Sequence, residues 1–142
     1  MTVAGHAPGG DSTTWQAVHR ALCDYLDAVD GGDFDRLAEL MEHATVILPS
    51  GRITGGPAIR EVYERIQPVP DEDGRRRTKH HLTNLVVSEP GEDGSVVADA
   101  YYLVLESGPD GPRVQKTGRF RDWLTSQQDG WVIQEHRVLL DF

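Results

Sequence analysis

The chain has 142 residues, 14 Lys+Arg against 23 Asp+Glu and a formal net charge of −9, with 38% hydrophobic and 26% charged residues. That length fits one domain with a sizeable core, and the acidic surplus argues against a nucleic-acid or anionic-membrane partner, which would repel the chain at long range. The single cysteine, Cys23, excludes an internal disulfide framework and a thiolate-rich metal cluster; no apolar run reaches membrane-spanning length and the start lacks a secretory signal pattern, so a cytoplasmic protein is expected.

Residues 1–12 are Gly/Pro-rich and aperiodic and read as a flexible tail, so a single domain is expected over 13–142. Thr13 with Gln16 makes a capping box, and Trp15, Val18, Leu22, Tyr25, Leu26 and Val29 repeat at helical spacing behind it. Gly31-Gly32 ends this helix, and Asp33 is the natural N-cap of a short second one carrying Phe34, Leu37, Leu40 and Met41. Short strands are predicted at 45–48 and 52–54 around the turn Pro49-Ser50-Gly51. Pro57 suits the first turn of a third helix, with the stripe Ile59, Val62, Tyr63 and Ile66. The segment 68–77, PVPDEDGRRR, is polar and aperiodic and reads as a mobile loop. Four strands follow at 79–88, 95–106, 113–124 and 131–140, separated by EPGEDG, SGPDGP and SQQDG. Short links favour antiparallel pairing, and helices followed by a strongly bent, mainly antiparallel sheet is the α+β pattern.

Several chemistries fail on spacing. His80 and His81 are adjacent on a strand and leave on opposite faces, and no paired-Cys or His-Glu-x-x-His motif exists, so no metal is expected. Gly31-Gly32 and Gly55-Gly56 lack the context of a nucleotide loop, so no cofactor is expected either. Arg75-Arg76-Arg77 with Lys79 is the one basic cluster, and it lacks the interleaved aromatics of an RNA site; it reads as a solvated loop gating a cavity mouth. His19, His43 and His136 are isolated and read as packing or partly exposed residues, and His6 lies in the tail. Arg121 and Arg137 with Asp122 and Glu135 read as surface pairs. His80 and Asn84 share parity, so both should leave on one strand face with Leu82 between them. A histidine on the inner face of an apolar cavity could exchange a proton with a substrate.

Two stretches, YLDAVDGGDFDRLAEL (residues 25–40) and RTKHHLTNLVV (residues 77–87), resemble signatures of the SnoaL-like branch of the NTF2-like superfamily, and GRFRDWL and GWVIQEHRV resemble its last two strands. The resemblance implies a cone of three N-terminal helices packed on a bent sheet. It also implies a homodimer formed by sheet faces and an apolar pocket for a small hydrophobic substrate, such as a polyketide-like or steroid-like hydroxy-carbonyl. By comparison with the scytalone dehydratases and bile-acid 7α-dehydratases of the superfamily, Tyr25, Asp30, His80 and Glu106 take the catalytic positions. Asn84, Tyr102, Phe120 and Tyr63 would contact substrate. His80 would abstract a proton α to a carbonyl, Asp30 would orient it, Tyr25 would hold the enolate oxygen, and Glu106 would assist a leaving hydroxyl. Dehydratase, isomerase and SnoaL-type polyketide cyclase remain equally open. Because the fold hosts enzymes and non-enzymes alike, a non-catalytic ligand-binding or protein-interaction module is the alternative.

Overall fold

A computed structural model describes residues 12–141. The expected tail therefore lies outside the described residues, His6 with it, except for Ser12, which opens the first helix. The elements in chain order are α1 (Ser12–Gly31), α2 (Phe34–Leu40), β1 (Thr45–Leu48), β2 (Gly51–Thr54), α3 (Gly56–Ile66), β3 (Thr78–Val87), β4 (Val96–Gly108), β5 (Gly111–Gln127) and β6 (Gly130–Leu140). This is an α+β fold.

α1 begins two residues earlier than the capping box predicts, so Thr13 lies within its first turn. Its stripe is buried at Val18, Leu22, Tyr25, Leu26 and Val29, whereas Trp15 at the helix start stays partly exposed and donates its indole N–H to the Leu85 carbonyl. Gly32 takes φ 69°, which lets the chain reverse, and the Asp33 carboxylate caps α2 by accepting from the Arg36 N–H at 3.1 Å. α2 packs on α3 so closely that a Cβ at Gly56 would lie 2.3 Å from the Ala38 carbonyl oxygen.

The six strands form one sheet in the order β2-β1-β6-β5-β4-β3. All pairings are antiparallel except β1 with β6, where the short N-terminal strand lies parallel to the last one. The β4–β5 hairpin is tighter than the separator SGPDGP suggests. The strands run on to Gly108 and from Gly111, with Pro109-Asp110 alone at the tip. Irregularities at Thr83/Val86, Val104/Leu105 and Trp123/Leu124 bend the sheet, because an extra residue on one strand kinks it and increases its twist. The inner face carries the core, including Val96, Ala98, Ala100, Tyr102 and Val104 of β4, and α1 lies over it across β3 and β6.

The loop over 68–77 is more tied down than its composition suggests. Asp71 accepts the Arg75 N–H and pairs with Arg77, and Arg75 pairs with Asp73. Arg76 reaches back to the Pro68 carbonyl and lies over the Phe34 ring, pressed against Gly32. All three arginines are thus engaged, and Arg76 sits beside Asp30 and Lys79 and does not line the cavity between α1, α3 and the sheet. Among the described residues no helix is long and apolar enough to cross a membrane, and no group of three His, Cys, Asp or Glu could hold a metal ion.

Candidate active site

The last turn of α1 and the start of β3 bring Asp30 and His80 together. One Asp30 oxygen accepts from the His80 ring at Nδ1 (2.7 Å), and the other accepts the His80 backbone N–H (2.8 Å). Their side chains are 16% and 14% exposed, so the pair is shielded without being sealed. A carboxylate only accepts, so the contact fixes the proton on Nδ1 and leaves Nε2 as the nitrogen able to take a proton.

His80 lines a cavity of about 290 Å³. α1 contributes Tyr25 and Val29, the β1–β2 turn Leu48, Pro49 and Ser50, and α3 Tyr63, Ile66 and Gln67. The sheet supplies Tyr102, Lys116, Phe120, Val138 and Leu140. The Tyr25 and Tyr63 hydroxyls meet at 2.6 Å. Burial pushes the Tyr63 phenol up to about 12, and burial with the neighbouring Tyr63 raises Tyr25 well above the ordinary tyrosine range. Both therefore stay protonated, and the hydroxyl that accepts from its partner keeps its own hydrogen free to donate. Tyr102 and Phe120 stack at 4.1 Å, their planes 5° apart, on a floor opened by Gly118. A Cβ at Gly118 would lie 2.1 Å from the Leu139 carbonyl oxygen and 2.7 Å from the Tyr102 ring.

Of the residues singled out from sequence, Tyr25, Tyr63, His80, Tyr102 and Phe120 line this cavity, and Asp30 stands behind His80. Two fall elsewhere. Asn84 adopts φ 55° at the β3 bulge, which reverses the alternation after Thr83 and puts it beside Tyr101 and Arg119 on the outer face of the sheet. Parity with His80 therefore fails at the bulge. Glu106 is held by Arg113 at 3.0 Å and Gln115 at 2.9 Å, outside the cavity, and the Arg113 bond draws its carboxyl below the usual range.

A second acid–histidine pair escaped the sequence reading. Asp122 and His136 are direct cross-strand partners on β5 and β6, joined Oδ1 to Nδ1 at 2.5 Å with both side chains 0% exposed. Asp122 is not the surface group predicted, whereas buried His136 takes the packing alternative. Of the expected surface pairs Arg137 with Glu135 forms, whereas Arg121 faces Asp99 rather than Asp122. The His136 ring lies 4.6 Å from the rings of both Tyr25 and Phe120, immediately behind the cavity wall. Burial raises the Asp122 carboxyl against the opposing pull of His136. The available signal was GRFRDWL, whose alternation sets Asp122 in phase with Phe120 and Leu124.

Residues 11–137 match the SnoaL-like domain family. Among solved structures, Aln2 from a Streptomyces species superposes with a TM-score of 0.80 at 22% identity, over 94% of each chain. A protein from Catenulispora acidiphila, solved in complex with S-DNPA, gives 0.75 at 25% identity over 92% of this chain and 96% of that one. An NTF2-like protein with a cystatin-like fold from Novosphingobium aromaticivorans gives 0.72 at 18% identity over 91% and 83%. No curated protein matches the chain significantly in sequence.

Proposed function

The chain belongs to the SnoaL-like domain family, and on that premise we propose that it is a cofactor-independent general acid/base enzyme acting on a small hydrophobic hydroxy-carbonyl compound. The observation that carries this reading is the Asp30–His80 pair in the wall of an otherwise largely apolar cavity. The volume of about 290 Å³ stands at the small end of ligand pockets, which suits a compact ring system. The S-DNPA complex of the Catenulispora protein supports a small-molecule ligand in this fold.

His80 Nε2 takes the proton α to the carbonyl while the C–H electron pair moves to the carbonyl oxygen, and Asp30 stabilises the imidazolium that forms. The free hydrogen of the Tyr25–Tyr63 pair donates to the developing enolate oxygen. With Glu106 held by Arg113 and Gln115, the second proton transfer falls to His80 itself. In dehydration the β-hydroxyl leaves with its bonding pair, takes the His80 proton and departs as water. In isomerisation the proton returns to a different carbon. In ring closure the enolate carbon attacks a second carbonyl, whose oxygen takes the proton. The enolate is common to all three, so α-proton exchange is the step to measure.

The test is deuterium incorporation into β-tetralone in D₂O, followed by NMR. Wild type should exceed the buffer rate and His80→Gln should lose roughly 10²–10⁴-fold of that excess, the ordinary yield of a positioned base. An unchanged His80→Gln rate removes His80 from the chemistry; saturable binding without exchange in wild type assigns the pocket to a non-catalytic binding module. We also propose a homodimer through the outer sheet face, where Tyr101, Trp123 and Leu139 are 49%, 46% and 46% exposed. Light scattering at the monomer mass would refute it.

A further inference from the structure

The cavity lining contains no carboxylate but does contain an ammonium group, Lys116, on a chain whose net charge is −9. On β5 it extends the inward-facing row of Asp122, Phe120 and Gly118 by one more alternate position, and there it is exposed. Among the described residues no ion pair engages it, although most of the arginines have a carboxylate partner. Asp141, near this end of the sheet, is taken by the Thr117 hydroxyl at 2.5 Å. The other polar side chains at this part of the lining are the neutral Ser50 and Gln67.

An unpaired ammonium on an acid-free, apolar wall is a selective feature. A neutral ligand gains little from it, whereas an anionic ligand finds a charge-assisted hydrogen-bond donor at the exposed side of a largely apolar cavity. His80, the other lining group able to carry positive charge, already faces Asp30. We propose that Lys116 is a specificity-determining residue that holds a carboxylate on the substrate, so that the ligand class is a hydrophobic keto acid whose carbonyl lies toward His80 and whose acid end lies toward Lys116. This rests on the pocket being the ligand site, and it deepens the reading above from a neutral hydroxy-carbonyl to an anionic one.

The probes are β-naphthoylpropionate and its methyl ester, which share the aromatic ketone and differ in the charge. Affinities are measured by calorimetry or fluorescence, separately from deuterium exchange. Wild type should bind the acid roughly 5- to 10-fold more tightly than the ester at low salt, the gain expected of one partly exposed charge-assisted contact, with the preference shrinking as salt rises. Lys116→Met keeps the aliphatic stem and should bind both alike; Lys116→Arg should restore the preference. His80→Gln should keep the preference while losing exchange, which separates the anchoring role from the catalytic one. Matching thermal midpoints for Lys116→Met and wild type establish that the fold is intact. Equal affinity of wild type for acid and ester, including no binding of either at millimolar concentration, overturns the proposal, as does a preference that survives in Lys116→Met.

Discussion

Replacing Asp122 with leucine removes the sole partner of a histidine that has no access to solvent. The two side chains are 0% exposed, their bond is 2.5 Å long, and the remaining Asp122 Oδ2 and His136 Nε2 atoms have no other partner among the described residues. The buried imidazole then has its Nδ1 unsatisfied, at a cost of about 2–3 kcal/mol. His136→Leu orphans a buried carboxyl instead and costs about 3–5 kcal/mol, the usual penalty for breaking a buried pair from one side. The double variant leaves neither orphan, so it should cost no more than about 2 kcal/mol against a sum of roughly 5–8 kcal/mol for the singles. Set against a total of roughly 7–15 kcal/mol for a domain of this size, each single change is severe. Asp122→Leu should lower Tm by roughly 6–10 °C. The assay is urea unfolding of the four proteins by tryptophan fluorescence, using Trp123 beside the pair and Trp131 on β6, with unchanged m-values as the check on two-state behaviour. Additive single and double effects, or an Asp122→Leu cost below about 0.5 kcal/mol, would show that the pair is not coupled in the core and would refute the reasoning.

Three further outcomes follow from the site. The native Tyr25 and Tyr63 phenols have pKa values raised above the unfolded value near 10, Tyr63 to about 12, so their contribution to stability is intact below the unfolded value and is lost as pH rises through the native one. Urea midpoints of wild type should therefore fall across that alkaline range more steeply than those of a Tyr25→Phe/Tyr63→Phe variant; parallel profiles would contradict the assignment. Asp30→Asn should lower α-proton exchange by roughly 10²-fold or more by misdirecting the His80 tautomer, while the exposed Asp27→Asn on the same helix serves as the control and should match wild type. Gly118→Ala forces a Cβ against the Leu139 carbonyl and the Tyr102 ring, so it should cost about 1–3 kcal/mol in denaturation and weaken binding of pocket probes; full stability would mean that β5 and β6 yield easily there.

The helical half of the molecule was legible because its signals are local. Stripe, glycine stop, Asp33 cap and Pro57 start each act within a few residues, and the Asp30–His80 pairing followed from a resemblance that spans both segments. What failed was alternation carried past a bulge. Counting in twos from His80 places Asn84 inside, but the irregularity between Thr83 and Val86 sends it out. Counting in twos from the buried Ile133 places His136 outside, but Gln134 is the extra residue opposite Trp123/Leu124 and turns His136 into the core. Period-two patterns hold no record of where a strand slips, because the slip is set by its neighbour. The Asp122–His136 pair was hidden twice, once by that slip and once because cross-strand register is a long-range property. Lys116, by contrast, was an unremarked lysine in sequence and gains its meaning only from which wall it stands on.

The double use of Asp30 has a consequence for how this protein loses activity. One carboxylate binds the ring of His80 through one oxygen and its backbone N–H through the other, so the same side chain that orients the base also rivets the end of α1 to the edge strand β3. An opening of that corner exposes the His80 amide to solvent and, in the same event, unsets the imidazole. Hydrogen exchange at a single backbone amide would then count the fraction of molecules in which the proposed base is disarmed.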